Sequence, residues 1–173
     1  MLQSQNHKLR AMEISDLPLL MELENHSEEW WLGANVAPIS GEALKRYIVG
    51  DHDLYRDQQM RLILESSNKA IGAFDLYDLN PRNRRAGVGL AIAPGERGNG
   101  HAAAGLSLLV DYAFQHLSLH QLWAEIPSKN EQSVHLFQKA GFEFCGTLKD
   151  WIWDGHEWVD AILMQCVANN MSK

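Results

Sequence analysis

At 173 residues the chain is long enough for one well-packed domain that buries most of its unfolded surface. A composition that is 46% hydrophobic and 21% charged, with no Pro/Gly/Ser-rich tract, repeat or like-charge block, argues against a disordered chain or a solenoid. The net charge of −7, from 22 acidic against 15 basic residues, argues against a nucleic-acid footprint; it serves solubility and also suits a cationic or small-molecule partner.

In chain order, residues 7–12 alternate as a short strand, and Ser15 is an N-cap candidate for a helix carrying Leu17, Leu20, Met21 and Glu24. A second helix starts near Ser40, with Leu44, Tyr47 and Ile48 on one face. Residues 59–65 and 69–78 read as a hairpin joined by Ser66-Ser67-Asn68. After the break at Asn80-Pro81-Arg82-Asn83, residues 84–93 form a strand that Pro94-Gly95 ends. Residues 102–117 form a helix with Leu106, Leu109, Val110, Ala113, Phe114 and Leu117 as its apolar stripe.

Residues 121–126 are a further strand, and 131–140 a helix capped by Asn130 or Ser128 and stopped by Gly141. Residues 142–167 alternate on both sides of Asp154-Gly155, a two-residue hairpin signal. The order β-α-α-β-β-β-α-β-α-β-β implies an α/β sandwich with a mixed sheet, as a single domain over 1–173.

The first eight residues lack the apolar core of a signal peptide and no apolar run reaches membrane-spanning length, so a cytoplasmic location without membrane contact is expected. Cys145 and Cys166 fall in apolar strands; they can bond only if those strands pair, and two reduced, half-buried thiols are expected. His116 and His120 straddle a helix end without a third ligand nearby, so no metal is expected.

Arg97-Gly98-Asn99-Gly100-His101-Ala102 joins strand to helix. Residues without Cβ let successive N–H groups converge on an anion, and the helix start adds its positive dipole end. Gly95 and Gly100 have triphosphate-loop spacing, but His101 and Ala102 replace its lysine and hydroxyl, which removes that reading. A dinucleotide motif fits 98–103, with Glu125 as the ribose acid, but the loop lies past mid-chain after an antiparallel hairpin. A plain connecting turn is the remaining alternative.

Arg97-x-x-Gly100-x-Ala102 resembles the Q/R-x-x-G-x-G/A signature of the GCN5-related N-acetyltransferase (GNAT) superfamily, and the segment from Asn130 to Phe142 resembles a second motif of that family. The likeness runs from Lys8-Leu9-Arg10 to the C-terminal hairpin and is nearest the branch of spermidine and ribosomal-protein N-terminal acetyltransferases. It implies an α/β (α+β) fold: a three-layer α/β/α sandwich around a mixed, mostly antiparallel sheet of about seven strands. It also implies acetyl-CoA as co-substrate. Backbone of Leu90, Ala91 and Ile92 would bond the pantetheine amides, and Arg97, Gly98, Asn99, Gly100, His101, Ala102 and Ala103 would hold the pyrophosphate. Asn130, Ser133, Phe137 and Lys139 would complete the cofactor side.

By the same resemblance, an amine attacks the thioester directly in a ternary complex, with a strand amide beside Leu90 or Ala91 for the developing oxyanion. The tyrosine that protonates the thiolate in many members is Phe137 here, which has no proton to give; Ser133, one turn earlier, is the expected replacement. Glu125, Asp75 and Asp78 are candidate bases, beside a water chain. Trp30 and Trp31, with Tyr77 and Asp78, are expected on the acceptor side, and Trp151, Trp153 and Trp158 near the cleft or in a homodimer interface. The acceptor would be a polyamine, amino sugar, drug or protein α-amine. A CoA-binding sensor with little turnover is the competing reading.

Overall fold

The computed structural model describes residues 2–4, 6–33 and 37–168. The acceptor-side segment 30–55 and the single-domain expectation over 1–173 therefore include positions, 34–36 and 169–173 among them, that lie outside the described residues.

The strands are β1 (His7–Arg10), β2 (Met60–Ser66), β3 (Lys69–Asn80), β4 (Arg85–Ile92), β5 (Gln121–Pro127), β6 (Glu143–Trp153) and β7 (Trp158–Val167). The helices are α1 (Leu17–Glu24), α2 (Gly41–Ile48), α3 (Leu54–Asp57), α4 (His101–Gln115) and α5 (Glu131–Lys139). One seven-stranded sheet runs in the order β1-β2-β3-β4-β5-β7-β6. The neighbours β4 and β5 are parallel and the other pairs antiparallel.

Strand alternation divides the side chains between two layers. Leu62, Leu64, Phe74, Leu76, Ala86, Val88 and Ile92 point toward Leu106, Leu109 and Val110 of α4 and Phe137 of α5. Ile63, Ala73 and Ala93 point the other way, against Leu19 and Leu20 of α1 and Leu44 and Ile48 of α2. This is the expected α/β/α sandwich.

Several local expectations change. Ser15 does not cap α1: it lies in a short 3-10 turn, Ile14–Asp16, and Asp16 takes the N-cap position. Helix α4 begins at His101 and ends at Gln115, so Leu117 packs from beyond the helix. The unexpected α3 is one turn, held by the Asp53 carboxylate accepting from the Tyr55 and Arg56 amides. The C-terminal strands do pair, but Cys145 sits at a bulge facing Met164 and Leu163 rather than Cys166, so the two are not bonded. Cys145 is exposed, not half-buried, and Cys166 is buried.

Asp16 is the buried carboxylate that ties α1 to the sheet. Arg10 of β1 donates Nη1 and Nη2 to its two oxygens at 2.7 and 2.8 Å and Nε to Glu65 of β2 at 2.7 Å. Burial alone would push the Asp16 carboxyl up; the guanidinium and the Glu13 amide outweigh it and hold the group below the usual carboxylate range. That stability is complete above the unfolded-state value near pH 4 and is lost as pH falls through the lower folded value. Urea midpoints should drop below about pH 4 in the native chain and less steeply in Asp16→Asn. Arg10→Met, which strands the carboxylate in the interior, should cost about 3–5 kcal/mol at pH 7.

Candidate active site

The site begins where two parallel strands part. β4 and β5 pair through Arg85↔Gln121, Ala86↔Leu122 and Gly87↔Trp123, and the ladder stops there. Beyond that rung β4 continues to Ile92 against β3 alone, and β5 continues to Pro127 against β7 alone. The two lips enclose a wedge whose walls are main chain.

Alternation decides which peptides face that wedge. The Arg84 carbonyl accepts from the His120 and Gln121 amides on the β5 side, while the Ala93 amide donates to Ile71 on the β3 side. Even-numbered residues of β4 thus turn their N–H and C=O toward β5 and odd-numbered ones toward β3. Leu90 and Ile92 present backbone to the wedge; the Ala91 peptide faces β3. The Ile92 carbonyl already accepts from Arg97 Nε at 2.9 Å.

Past β4 the chain turns through a 3-10 piece, Pro94–Glu96, into the glycine loop. Gly98 and Gly100 have φ of 80° and 79°, the left-handed region where an L side chain is strained, which is why glycine stands there. Gly100 is the N-cap of α4 and offers no side chain to the first-turn amides, leaving that fifteen-residue helix with a donor-rich N-terminus. Arg97, Gly98, Asn99, Gly100 and Ala103 are exposed, and His101 and Ala102 half-buried. His101 Nδ1 lies 2.8 Å from His7 Nε2 of β1. A split strand edge leading to uncapped amides is the donor set an extended amide chain ending in a pyrophosphate requires, so the residues present fit acetyl-CoA.

Arg97 also has a protein partner that the sequence did not reveal. Its Nη1 and Nη2 donate to Glu29 at 2.5 and 2.8 Å. Glu29 lies in the 3-10 helix Ser27–Leu32 with Trp30 and Trp31, both half-buried, and Trp30 Nε1 donates to the Glu24 carbonyl at 2.8 Å.

On the other side of the wedge, Asn130 caps α5 by accepting from the Ser133 amide at 3.1 Å. Ser133 is half-buried and Lys139 exposed. Phe137 is 4% exposed and packs edge-on against Phe142, its ring centroid 4.9 Å away, so the expected cofactor contact is a core side chain in this structure.

The sheet face opposite α4 carries an open cleft of about 470 Å³, lined by Asp78, Arg85, Gln121, Trp123, Glu125 and Gln165 among others. Glu125 is exposed on β5 just past the last shared rung and accepts from Trp151 Nε1 at 3.0 Å. Asp78 sits at a bulge with φ of 49°; Leu76 and Leu79 on either side both belong to the α4 core, which leaves Asp78 to line the cleft and Tyr77 on the same face of the sheet, against Trp123. Asp75, expected as a base, is instead clamped by Arg61 Nε and Nη2 at 2.8 and 2.9 Å. Arg61 also pairs with Glu24, and its guanidinium lies 6.0 Å from the Tyr47 ring centroid.

Tyr77 crosses β4 over Gly87, and its ring meets Trp123 edge-on with centroids 5.1 Å apart. A Cβ at Gly87 would lie 2.5 Å from Tyr77 Cζ and 2.9 Å from Trp123 Cζ2, so only glycine lets the two rings meet there. Burial, and then the Glu125, Asp78 and Asp75 carboxylates, push the phenol well above its ordinary value. Trp123, Arg61 and Glu29 escaped the sequence reading. The alternation of Trp123 with Glu125 along β5 was the available signal for the first, and a lone arginine in the apolar run 60–64 for the second.

A sheet split between parallel strands, with a phosphate-ready loop on one side and an acidic, aromatic cleft on the other, defines a transferase that brings an extended thioester cofactor and an acceptor together across one strand edge. The family model for the acetyltransferase (GNAT) domain matches residues 7–143. The spermidine N(1)-acetyltransferase of Escherichia coli K12 is 26% identical over 163 residues, 91% of this chain and 83% of that protein. The Vibrio cholerae spermidine N(1)-acetyltransferase is 29% identical over 137 residues, 78% of this chain and 77% of that protein. A crystal structure of spermidine N-acetyltransferase from V. cholerae in complex with CoA and spermine shares the fold, with a TM-score of 0.86 at 23% identity over 98% of this chain and 100% of that one. The chain belongs to the GNAT acetyltransferase family, and it is an acetyl-CoA-dependent N-acetyltransferase.

Gly87→Ala tests the ring contact at the head of the wedge. The added methyl should displace Tyr77 or Trp123, cost about 1–3 kcal/mol in urea unfolding and weaken the near-ultraviolet circular dichroism of the two rings.

Proposed function

We propose that the chain acetylates a cationic primary amine that enters the Asp78–Glu125 cleft while acetyl-CoA lies along β4. The placement of Glu125 beside the parting strands carries this reading. A carboxylate flanked by Trp123 and Trp151 attracts an ammonium by charge and by ring faces, and the net charge of −7 favours the same class of acceptor. The names of the two relatives support a polyamine as one such amine.

In this reading the Leu90 and Ile92 peptides hold the pantetheine arm, and Arg97 with the Gly98–Ala103 amides holds the pyrophosphate. Asn130, Ser133 and Lys139 close the cofactor side. Acetyl-CoA supplies an activated acyl carbon. Glu125 receives the proton the ammonium must lose, and Asp75, clamped by Arg61, shapes the wall. Residues 1–173 form one transferase domain. Among the described residues no helix is long and apolar enough to cross a membrane, and both thiols are free, which supports a reducing compartment, the cytoplasm. Exposed Trp153 and Trp158 on the β6–β7 hairpin support self-association into a homodimer.

A panel of polyamines, amino sugars, aminoglycosides and peptide α-amines with acetyl-CoA, read by product mass, tests the assignment. Acetylation of at least one cationic amine is expected, and CoA binding without any acylated product would favour the sensor reading. Glu125→Gln should raise KM for that amine about tenfold and leave KM for acetyl-CoA in place. Arg97→Ala should weaken acetyl-CoA binding in calorimetry by a similar factor, whereas Glu29→Gln, which frees the guanidinium, should tighten it.

A further inference from the structure

Collapse of the thioester adduct releases a thiolate, and a group holding a proton must stand where the strands part. The carboxylates on this face, Glu125 beside the parting strands and Asp75 and Asp78 farther off, are acceptors when ionised, and Phe137 is a core phenyl. Ser133 belongs to the α5 layer, and an aliphatic hydroxyl gives up its proton less readily than a phenol.

Tyr77 reaches the place from the other face. Its Cα pairs with Gly87 across the β3–β4 ladder, and its Cζ lies over that glycine. The hydroxyl on Cζ is therefore carried beyond β4 toward Trp123, above the Gly87↔Trp123 rung at which β4 and β5 separate. At Gly89, the next residue on this face, a Cβ would meet Tyr77 Cε1 at 3.7 Å, so the ring also borders the first open stretch of β4.

We infer that Tyr77 is the proton relay of the transfer, giving its hydroxyl proton to the departing CoA sulfur. This rests on the acetyltransferase reading above. The free-base amine attacks the acyl carbon, the C–S bond breaks with its electron pair going to sulfur, and sulfur takes the phenol proton. The phenolic oxygen takes the proton shed by the acylated nitrogen. One amine and one acetyl-CoA give one amide and one CoA thiol, and the tyrosine ends as it began. Burial, and then the surrounding carboxylates, keep the phenol protonated between turnovers, and the indole of Trp123 fixes the ring.

The test uses Tyr77→Phe, which keeps the ring and its contacts. With the best acceptor of the amine panel, kcat should fall about 10²-fold while KM for both substrates stays within about threefold. A second reading needs no acceptor: thiolate absorbance of CoA bound to the full chain, followed with pH. A phenol donating to sulfur stabilises the thiolate, so the bound thiol should titrate about one pH unit higher in Tyr77→Phe than in the native protein. An unchanged thiol titration overturns the proposal, as does a defect confined to KM for the amine, or a thiol shift seen in Ser133→Ala and not in Tyr77→Phe. Failure of the native chain to bind CoA at all would instead overturn the functional reading on which it stands.

Discussion

The separation of β4 from β5 after the Gly87↔Trp123 rung is the constraint from which the site follows. A parallel pair in an otherwise antiparallel sheet must be joined by a crossover, and α4 with its glycine loop is that crossover. The loop at the end of the free β4 edge and the donor-rich start of α4 are thus consequences of the same connection. Were the ladder to continue to Ile92, the Leu90 and Ile92 peptides would be consumed by β5, leaving no main-chain donors for a thioester cofactor. The wedge is held open by pairing each lip on its outer side, β4 to β3 and β5 to β7, so neither edge carries its unpaired groups on a lone strand.

Two-residue alternation then assigns the chemistry. Between its two bulges β3 keeps strict alternation: the even positions 72–76, like those of β4, face the core under α4, and the odd positions Asp75, Tyr77, Gly87 and Gly89 face the acceptor side, while the bulges turn Ile71 and Leu79 into that core as well. The glycines are not only absences there. Gly87 lowers the strand surface enough for a tyrosine from the neighbouring strand to span it, converting a flat sheet face into an aromatic wall at the head of the wedge. The bulge after Tyr77 adds Asp78 to the same wall without moving Leu79 out of the core.

Much of this was legible in the sequence because it is periodic or local. The hairpin turn at Ser67 and Asn68 has φ of 50° and 63°, the left-handed geometry that a tight two-residue turn demands. The Ser40 and Asn130 caps and the left-handed Gly98 and Gly100 are likewise set by neighbours within a few residues. What could not be read depends on register and on side chains far apart in the chain. Asp75 looked like a free base because Arg61, fourteen residues earlier, meets it only through the β2–β3 register. Arg97 looked committed to a phosphate because Glu29, 68 residues away, reaches it only once the 3-10 segment folds over the loop. Trp123 drew no attention because strand separation is invisible in a sequence that continues to alternate beyond it.

The fates of the carboxylates near the cleft show how the fold sorts similar groups into different work. Asp75 and Glu24 share Arg61, whose burial opposes its charge but is outweighed by those two partners, so that triad contributes one net negative charge from behind the wall. Glu29 is occupied by Arg97, which holds it below the usual carboxylate range against the cost of burial. That leaves Asp78 and Glu125 as the acids lining the open cleft, with Arg85 as their counter-charge, and the cleft lining keeps a single net negative charge. Of the two, Glu125 stands beside the parting strands, fixed by the Trp151 indole rather than by a cation. A carboxylate held by a neutral donor keeps its full charge for an incoming ammonium, whereas one held by a guanidinium has already spent it.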